Sequence, residues 1–288
     1  MLRIFLFLAV NMAVIAVISV TFQLLGFEGL LAQNGIDLNL QALLVYAGII
    51  GFGGAIISLL LSKWMAIKTM RVEVFSTPAN QTERWLLARV AEHSAQCGIR
   101  TPDVGIFDSA SPNAFATGWN RNSALVAVST GLLQHMDSDE VDAVLAHEVS
   151  HIANGDMVTM TLLQGVVNTF VIFISRVVGH TVDKLVFKVE RGHGPAFWIV
   201  SIIAELIIGF LASMLVMWFS RYREFRADAG AARLVGNRKM IAALERLRQF
   251  QHQSSMPDEM VAFAISAGKL HSLLASHPPL EKRIEALR

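Results

Sequence analysis

The sequence predicts a mainly α membrane protein, in which transmembrane helices carry a smaller cytoplasmic α+β domain with a small β-sheet. Three observations predict it. Apolar residues make up 53% of the 288 and charged residues only 16%, where an ordinary globular chain holds about 25% charged. Mean hydropathy is +0.50. Long uncharged runs alternate with stretches of ordinary polarity. The 24 basic and 23 acidic residues nearly cancel, so no global field recruits nucleic acid. A single cysteine, Cys97, excludes an internal disulfide framework and a thiolate-rich metal site.

Residues 4–27 and 38–62 contain no charge, and each run exceeds the roughly 20 residues that a helix needs to cross a bilayer. The first is longer than the apolar core of a secretion signal and no A-x-A site follows, so it reads as an uncleaved anchor. Gly48, Gly51, Gly53 and Gly54 give the second a small-residue face for close helix packing. Residues 157–175 form a marginal span, uncharged but holding Gln164, Asn168 and three threonines. Residues 195–220 are strongly apolar apart from Glu205. An acid at that depth faces the bundle or water, either in a functional role or in an interhelical hydrogen bond.

Orientation follows from the basic residues in short flanks. The 26–39 loop has none, whereas Lys63, Lys68 and Arg71 follow the second run and Arg221, Arg223 and Arg226 follow the fourth. Both termini and residues 63–156 are therefore expected in the cytoplasm. The 176–194 loop dissents with Arg176, Lys184, Lys188 and Arg191. Either the third and fourth segments cross despite it, or they form a hairpin that does not fully cross. The expected organisation is 1–62 as two anchors, 63–156 as the first soluble part, 157–220 as a hydrophobic hairpin and 221–288 as the second soluble part.

In the first soluble part, residues 83–96 carry a helical stripe of Leu86, Leu87, Val90 and Ala91, broken by Gly98 and Pro102. Strand-like pieces follow at 104–107, 113–117 and 125–129. A further helix then begins: Asp137 can cap it, Glu140 completes a capping box, and Met136 can staple to Val141. Asn154-Gly155 ends it.

That helix carries His147-Glu148-Val149-Ser150-His151, an H-E-x-x-H pattern. Residues four apart share a helix face, so both imidazoles can reach one metal, and Glu148 can contact a metal-bound water. The extension H-E-x-x-H-x-x-G-x-x-H fails, because Asn154 and Met157 stand where Gly and His belong. A third ligand is offered by Glu224, with Asp228 one turn on, able to orient a ligand histidine.

The segments H-E-V-S-H-I-A-N-G-D at 147–156, R-E-F-R-A-D at 223–228 and N-A-F-A-T-G at 113–118 resemble the HtpX family of membrane-bound zinc metalloproteases, related to the CAAX prenyl proteases. The resemblance spans essentially the whole chain. It implies a zincin-like α+β metalloprotease domain at the cytoplasmic face of the bacterial inner membrane, acting in stress response on misfolded or damaged membrane proteins. It implies one Zn2+ per subunit, held by His147, His151 and Glu224, with Glu148 as the catalytic acid/base. Asn113 and Ala114 resemble the family's strand beside the cleft, and Ser276-His277-Pro278-Pro279 its C-terminal motif, in which His277 approaches the oxyanion. The implied partners are membrane-protein or unfolded polypeptide substrates and the lipid bilayer, with no nucleic acid. Two rival readings are a prenyl-protein-type endopeptidase, which favours a large chamber of more helices than four supply, and a non-enzymatic metal-binding membrane protein. The second predicts polar ligands inside the spans, which hold only Glu205.

Overall fold

The computed structural model describes residues 38–189, 192–253 and 275–288. The expected anchor at 4–27 and most of the 26–39 loop lie outside the described residues. The elements are α1 (Leu40–Thr69), β1 (Glu73–Phe75), α2 (Gln81–Gln96), β2 (Asp103–Phe107), β3 (Ala114–Asn120), β4 (Ser123–Ser129), α3 (Thr130–His135), α4 (Ser138–Asn154), α5 (Asp156–Leu185), α6 (Pro195–Val235), α7 (Asn237–Gln253) and α8 (Leu280–Glu285). Contacts among the described residues divide into two compact units, 38–57 with 161–216, and 58–160 with 217–288.

The first unit is helical. Helices α1, α5 and α6 are each long and apolar enough to cross a membrane, and Val45, Ile49, Ile56, Ile202 and Leu206 are exposed on them, as residues that face lipid are. Gly48 and Gly51 are buried on α1, and at Gly51 a Cβ would come within 2.7 Å of the Thr169 backbone nitrogen on α5. Gly53 and Gly54 meet nothing within 4 Å. Glu205 on α6 pairs with Arg176 on α5, Oε2 to Nη2 at 3.5 Å.

The second unit holds the sheet, in the order β1-β2-β4-β3. β2 and β4 run parallel, while β1 and β3 flank them antiparallel. β4 is apolar on both faces, with Ala124 through Val128 buried, as suits a strand covered on two sides. β3 is an edge strand and packs beside α4. The core joins Leu86 and Val90 of α2, Val104, Val126 and Val128 of the sheet, Val149 and Ile152 of α4, Leu244 of α7 and Ile284 of α8.

Helix α4 is buried along nearly its whole length. The capping box forms as expected: the Asp137 carboxylate accepts from Glu140 N at 2.9 Å and Glu140 accepts from Asp137 N at 3.0 Å. From behind, buried Asp142 accepts from Arg89 Nε at 2.7 Å, Arg89 Nη2 at 2.9 Å and Lys239 Nζ at 3.2 Å, and bonds His93 Nε2 at 2.8 Å. Burial would raise this carboxyl, but those bonds from His93 and Arg89 hold it well below the usual carboxylate range. α4 is thereby fixed to both α2 and α7. At its other end Gly155 takes φ +70°, a left-handed cap that suits glycine, and α5 starts at the next residue.

Candidate active site

His147 and His151 lie one turn apart on α4, their rings edge to face with centroids 4.6 Å apart. Their Nε2 atoms approach to 3.1 Å. Glu224 arrives from α6, with Oε1 at 3.3 Å from His151 Nε2 and Oε2 at 3.5 Å from His147 Nε2. The carboxylate is 2% exposed. Glu148 is also buried, next to the first histidine on the same helix.

These separations fit a metal. Bonds of about 2.0–2.1 Å in a tetrahedron put neighbouring ligand atoms about 3.3–3.4 Å apart; the two Nε2 atoms are 3.1 Å apart, and each has a different oxygen of the Glu224 carboxylate beside it, at 3.3 Å for His151 and 3.5 Å for His147. Two Nε2 lone pairs so close repel one another unless a proton or a cation lies between them. Among the described residues this is the one His/Cys/Asp/Glu group whose ligand atoms all lie within 4.8 Å of one another.

Each imidazole turns its other nitrogen to a carboxylate. His151 Nδ1 donates to Asp156 Oδ2 at 2.6 Å, which fixes the tautomer and leaves Nε2 as the ligating atom. Asp156 is buried, with Arg223 Nη1 at 3.8 Å as a second neighbour. His147 Nδ1 lies 2.9 Å from Asp228 Oδ1, a short contact bent away from the N–H axis. Asp228 is itself gripped by Arg283 of α8, Nε to Oδ2 at 2.8 Å and Nη2 to Oδ1 at 2.7 Å, and Arg283 Nη1 is 3.5 Å from Glu224 Oε2. The structure thus brings His147, His151, Glu224 and Asp228 together. It adds Asp156 and Arg283.

His277 also reaches the cluster. Its Nδ1 bonds Glu224 Oε2 at 2.7 Å, while the ring is 62% exposed. Asn113 precedes the edge strand, its backbone N–H donating to Ser129 Oγ at 2.9 Å, and Ala114 opens β3 opposite Val128.

The contacts also bias where protons sit. Burial alone would raise the Glu224 carboxyl, but hydrogen bonds from His147, His151 and His277 hold it far below the usual carboxylate range. Burial opposes the charge on His151, yet the bonds to Asp156 and Glu224 win and push it up to about 10. His147 is raised as well, its burial outweighed by Asp228 and Glu224. A cation entering the site displaces those protons.

Residues 80–288 match the family model "Peptidase family M48". A protein from Pseudoalteromonas atlantica named "Protease HtpX" is 68% identical, the match covering 100% of this chain and 99% of that one. Another of that name, from Thioalkalivibrio sulfidiphilus, is 61% identical over the same shares. Among solved structures, the crystal structure of S. mikatae Ste24p matches with a TM-score of 0.63 at 17% identity, over 100% of this chain and 67% of that one. That last likeness is one of fold.

Proposed function

Since the chain belongs to peptidase family M48 and is a membrane-bound metalloprotease, we propose that it is a zinc endopeptidase of the inner membrane, cutting misfolded or damaged membrane proteins at the cytoplasmic face. The observation that carries the chemistry is the meeting of His147 Nε2, His151 Nε2 and the two oxygens of the Glu224 carboxylate at 3.1, 3.3 and 3.5 Å, with Glu148 next to His147 on α4. One Zn2+ per subunit would be held by those three residues and would supply Lewis acidity, acidifying a water and polarising the scissile carbonyl.

The remaining steps belong to the protein. Glu148 takes the proton of the attacking water and passes it to the leaving amine. Asp156 and Asp228 hold the two imidazoles in the ligating orientation, and Arg283 fixes Asp228. His277 supports the oxyanion from its exposed position against Glu224. The edge strand β3, entered through Asn113 and Ala114, accepts the substrate as an added strand.

The membrane setting supports the substrate class. His151 is five residues before Asp156, the first residue of α5, and Glu224 lies on α6. Both ligand elements are therefore tied to helices apolar enough to cross a membrane. The cytoplasmic side follows from Lys63, Lys68, Arg71, Arg221, Arg223 and Arg226.

The test is metal analysis of detergent-purified protein alongside hydrolysis of casein, comparing the parent with Glu148→Ala. Zinc near one equivalent in both, with hydrolysis in the parent alone, supports the assignment. Loss of zinc with activity in Glu148→Ala overturns the role given to Glu148.

A further inference from the structure

Helix α6 carries more than a ligand. Along its exposed side Ile207, Leu211, Leu215, Trp218, Tyr222 and Arg226 follow one another at steps of three or four residues, which is one face of a helix. Their order is three aliphatics, an indole, a phenol and a guanidinium. Trp218 is 59% and Tyr222 56% exposed, and their rings stack with centroids 6.5 Å apart at 18°. That order matches a bilayer profile from hydrocarbon, through the interfacial layer where Trp and Tyr collect, to the phosphates.

The opposite side of the same turns is buried and belongs to the site. Glu224, Ala227, Asp228 and Ala231 are 2%, 0%, 1% and 0% exposed. Glu224 is two residues past Tyr222 and two before Arg226, so along the axis it lies about 3 Å from each. It is six residues, about 9 Å, beyond Trp218.

We infer that the stripe Trp218–Tyr222–Arg226 seats in the lipid headgroup layer and thereby sets the metal at headgroup depth. The enzyme then selects peptide bonds by their height above the membrane, cutting where a chain emerges from the bilayer. This rests on the function proposed above and deepens it. The substrate class becomes the first residues of a polypeptide leaving the hydrocarbon, since an extended chain covers 9 Å in about three residues.

Two measurements on the full chain, in vesicles of phosphatidylethanolamine with phosphatidylglycerol, test the inference. The first quenches tryptophan fluorescence with nitroxide lipids labelled at the headgroup or at the acyl-chain end, taking the difference between the parent and Trp218→Phe as the Trp218 signal. Stronger quenching of that signal by the headgroup label is expected. Stronger quenching by the chain-end label, or by neither, overturns the placement.

The second uses a membrane-anchored helix whose cytoplasmic tail carries one cleavable segment. The segment stands directly after the helix, after a ten-residue proline-rich spacer holding it about 31 Å off, or after a flexible Gly/Ser spacer of equal length. The proline-spaced segment should be cut about tenfold or more slowly than the proximal one, and the flexible one at an intermediate rate because it can loop back. Equal rates for proximal and proline-spaced segments overturn the inference while leaving the peptidase intact. If the same segment offered as a free unfolded peptide is also untouched, the proposed function fails with it.

Discussion

Replacing Asp156 by asparagine removes one charge next to His151 and keeps an oxygen that can accept its Nδ1–H. In the parent that bond is 2.6 Å long and buried, so solvent does little to screen it. A hydrogen bond to a charged group contributes about 1.5–3 kcal/mol and a neutral one about 0.5–1.5 kcal/mol. The difference, about 1–1.5 kcal/mol, corresponds to roughly five- to tenfold in affinity. Asp156→Asn should therefore weaken zinc by about that factor, and Asp156→Ala, which loses the acceptor too, by up to about 100-fold. Titration against a competing chelator gives the affinity, and the visible spectrum of the cobalt-loaded protein reports whether His151 still ligates in the same geometry. A thermal melt of each variant separates a loss of fold from a loss of metal. An Asp156→Asn protein that binds zinc within twofold of the parent, with an unchanged cobalt spectrum, would refute the orienting role.

Further outcomes follow from the same geometry. Glu224→Gln should lose zinc more completely than Asp228→Asn, because the first removes a ligand charge and the second only an orienting group; chelator competition ranks them. Arg283→Ala should destabilise the metal-free protein by about 3–5 kcal/mol, the cost of leaving one partner of a buried ion pair alone, read as a shift in the denaturant midpoint. The gain in melting temperature on adding zinc should widen as pH rises from 6.5 toward about 10. The raised His151 pKa stabilises the metal-free fold fully below 6.5 and loses that effect as pH climbs through about 10, while zinc competes with fewer protons. A gain that narrows over that range contradicts the assignment. A reporter fused after residue 32 should be periplasmic and one after residue 100 cytoplasmic; the reverse overturns the orientation.

Much of the catalytic helix was legible because its signals are local. Asp137 and Glu140 form their capping box three residues apart, Gly155 terminates the helix, and His147 and His151 share a face by spacing alone. The strands read at 104–107 and 125–129 fall within β2 and β4, and that read at 113–117 starts one residue before β3, but their order required the structure. β1 and α3, of three and six residues, are too short to show a period. The arginines at 221–226 suggested that the fourth apolar segment stops there, yet α6 runs unbroken to Val235, because no residue breaks it before Gly236 at φ +88°. Arg283 follows the C-terminal motif at 276–279, but its grip on Asp228 was not legible because that partner is 55 residues away in sequence. Asp156 stood beside the motif in plain view, and only the turn at Gly155 brings its carboxylate back onto His151.

A single residue, Gly155, separates the helix of the two histidines from the helix that follows, and the glutamate comes 224 − 151 = 73 positions after the second histidine. Between them lie the end of α4, Gly155, α5, its loop and most of α6. During synthesis the chain must therefore deliver the entire hydrophobic hairpin before Glu224 leaves the ribosome. With the ligands proposed above, the nascent protein until then holds two of three. Order of translation would thereby act as a timer, withholding a hydrolytic centre until the membrane part of the same polypeptide has been made.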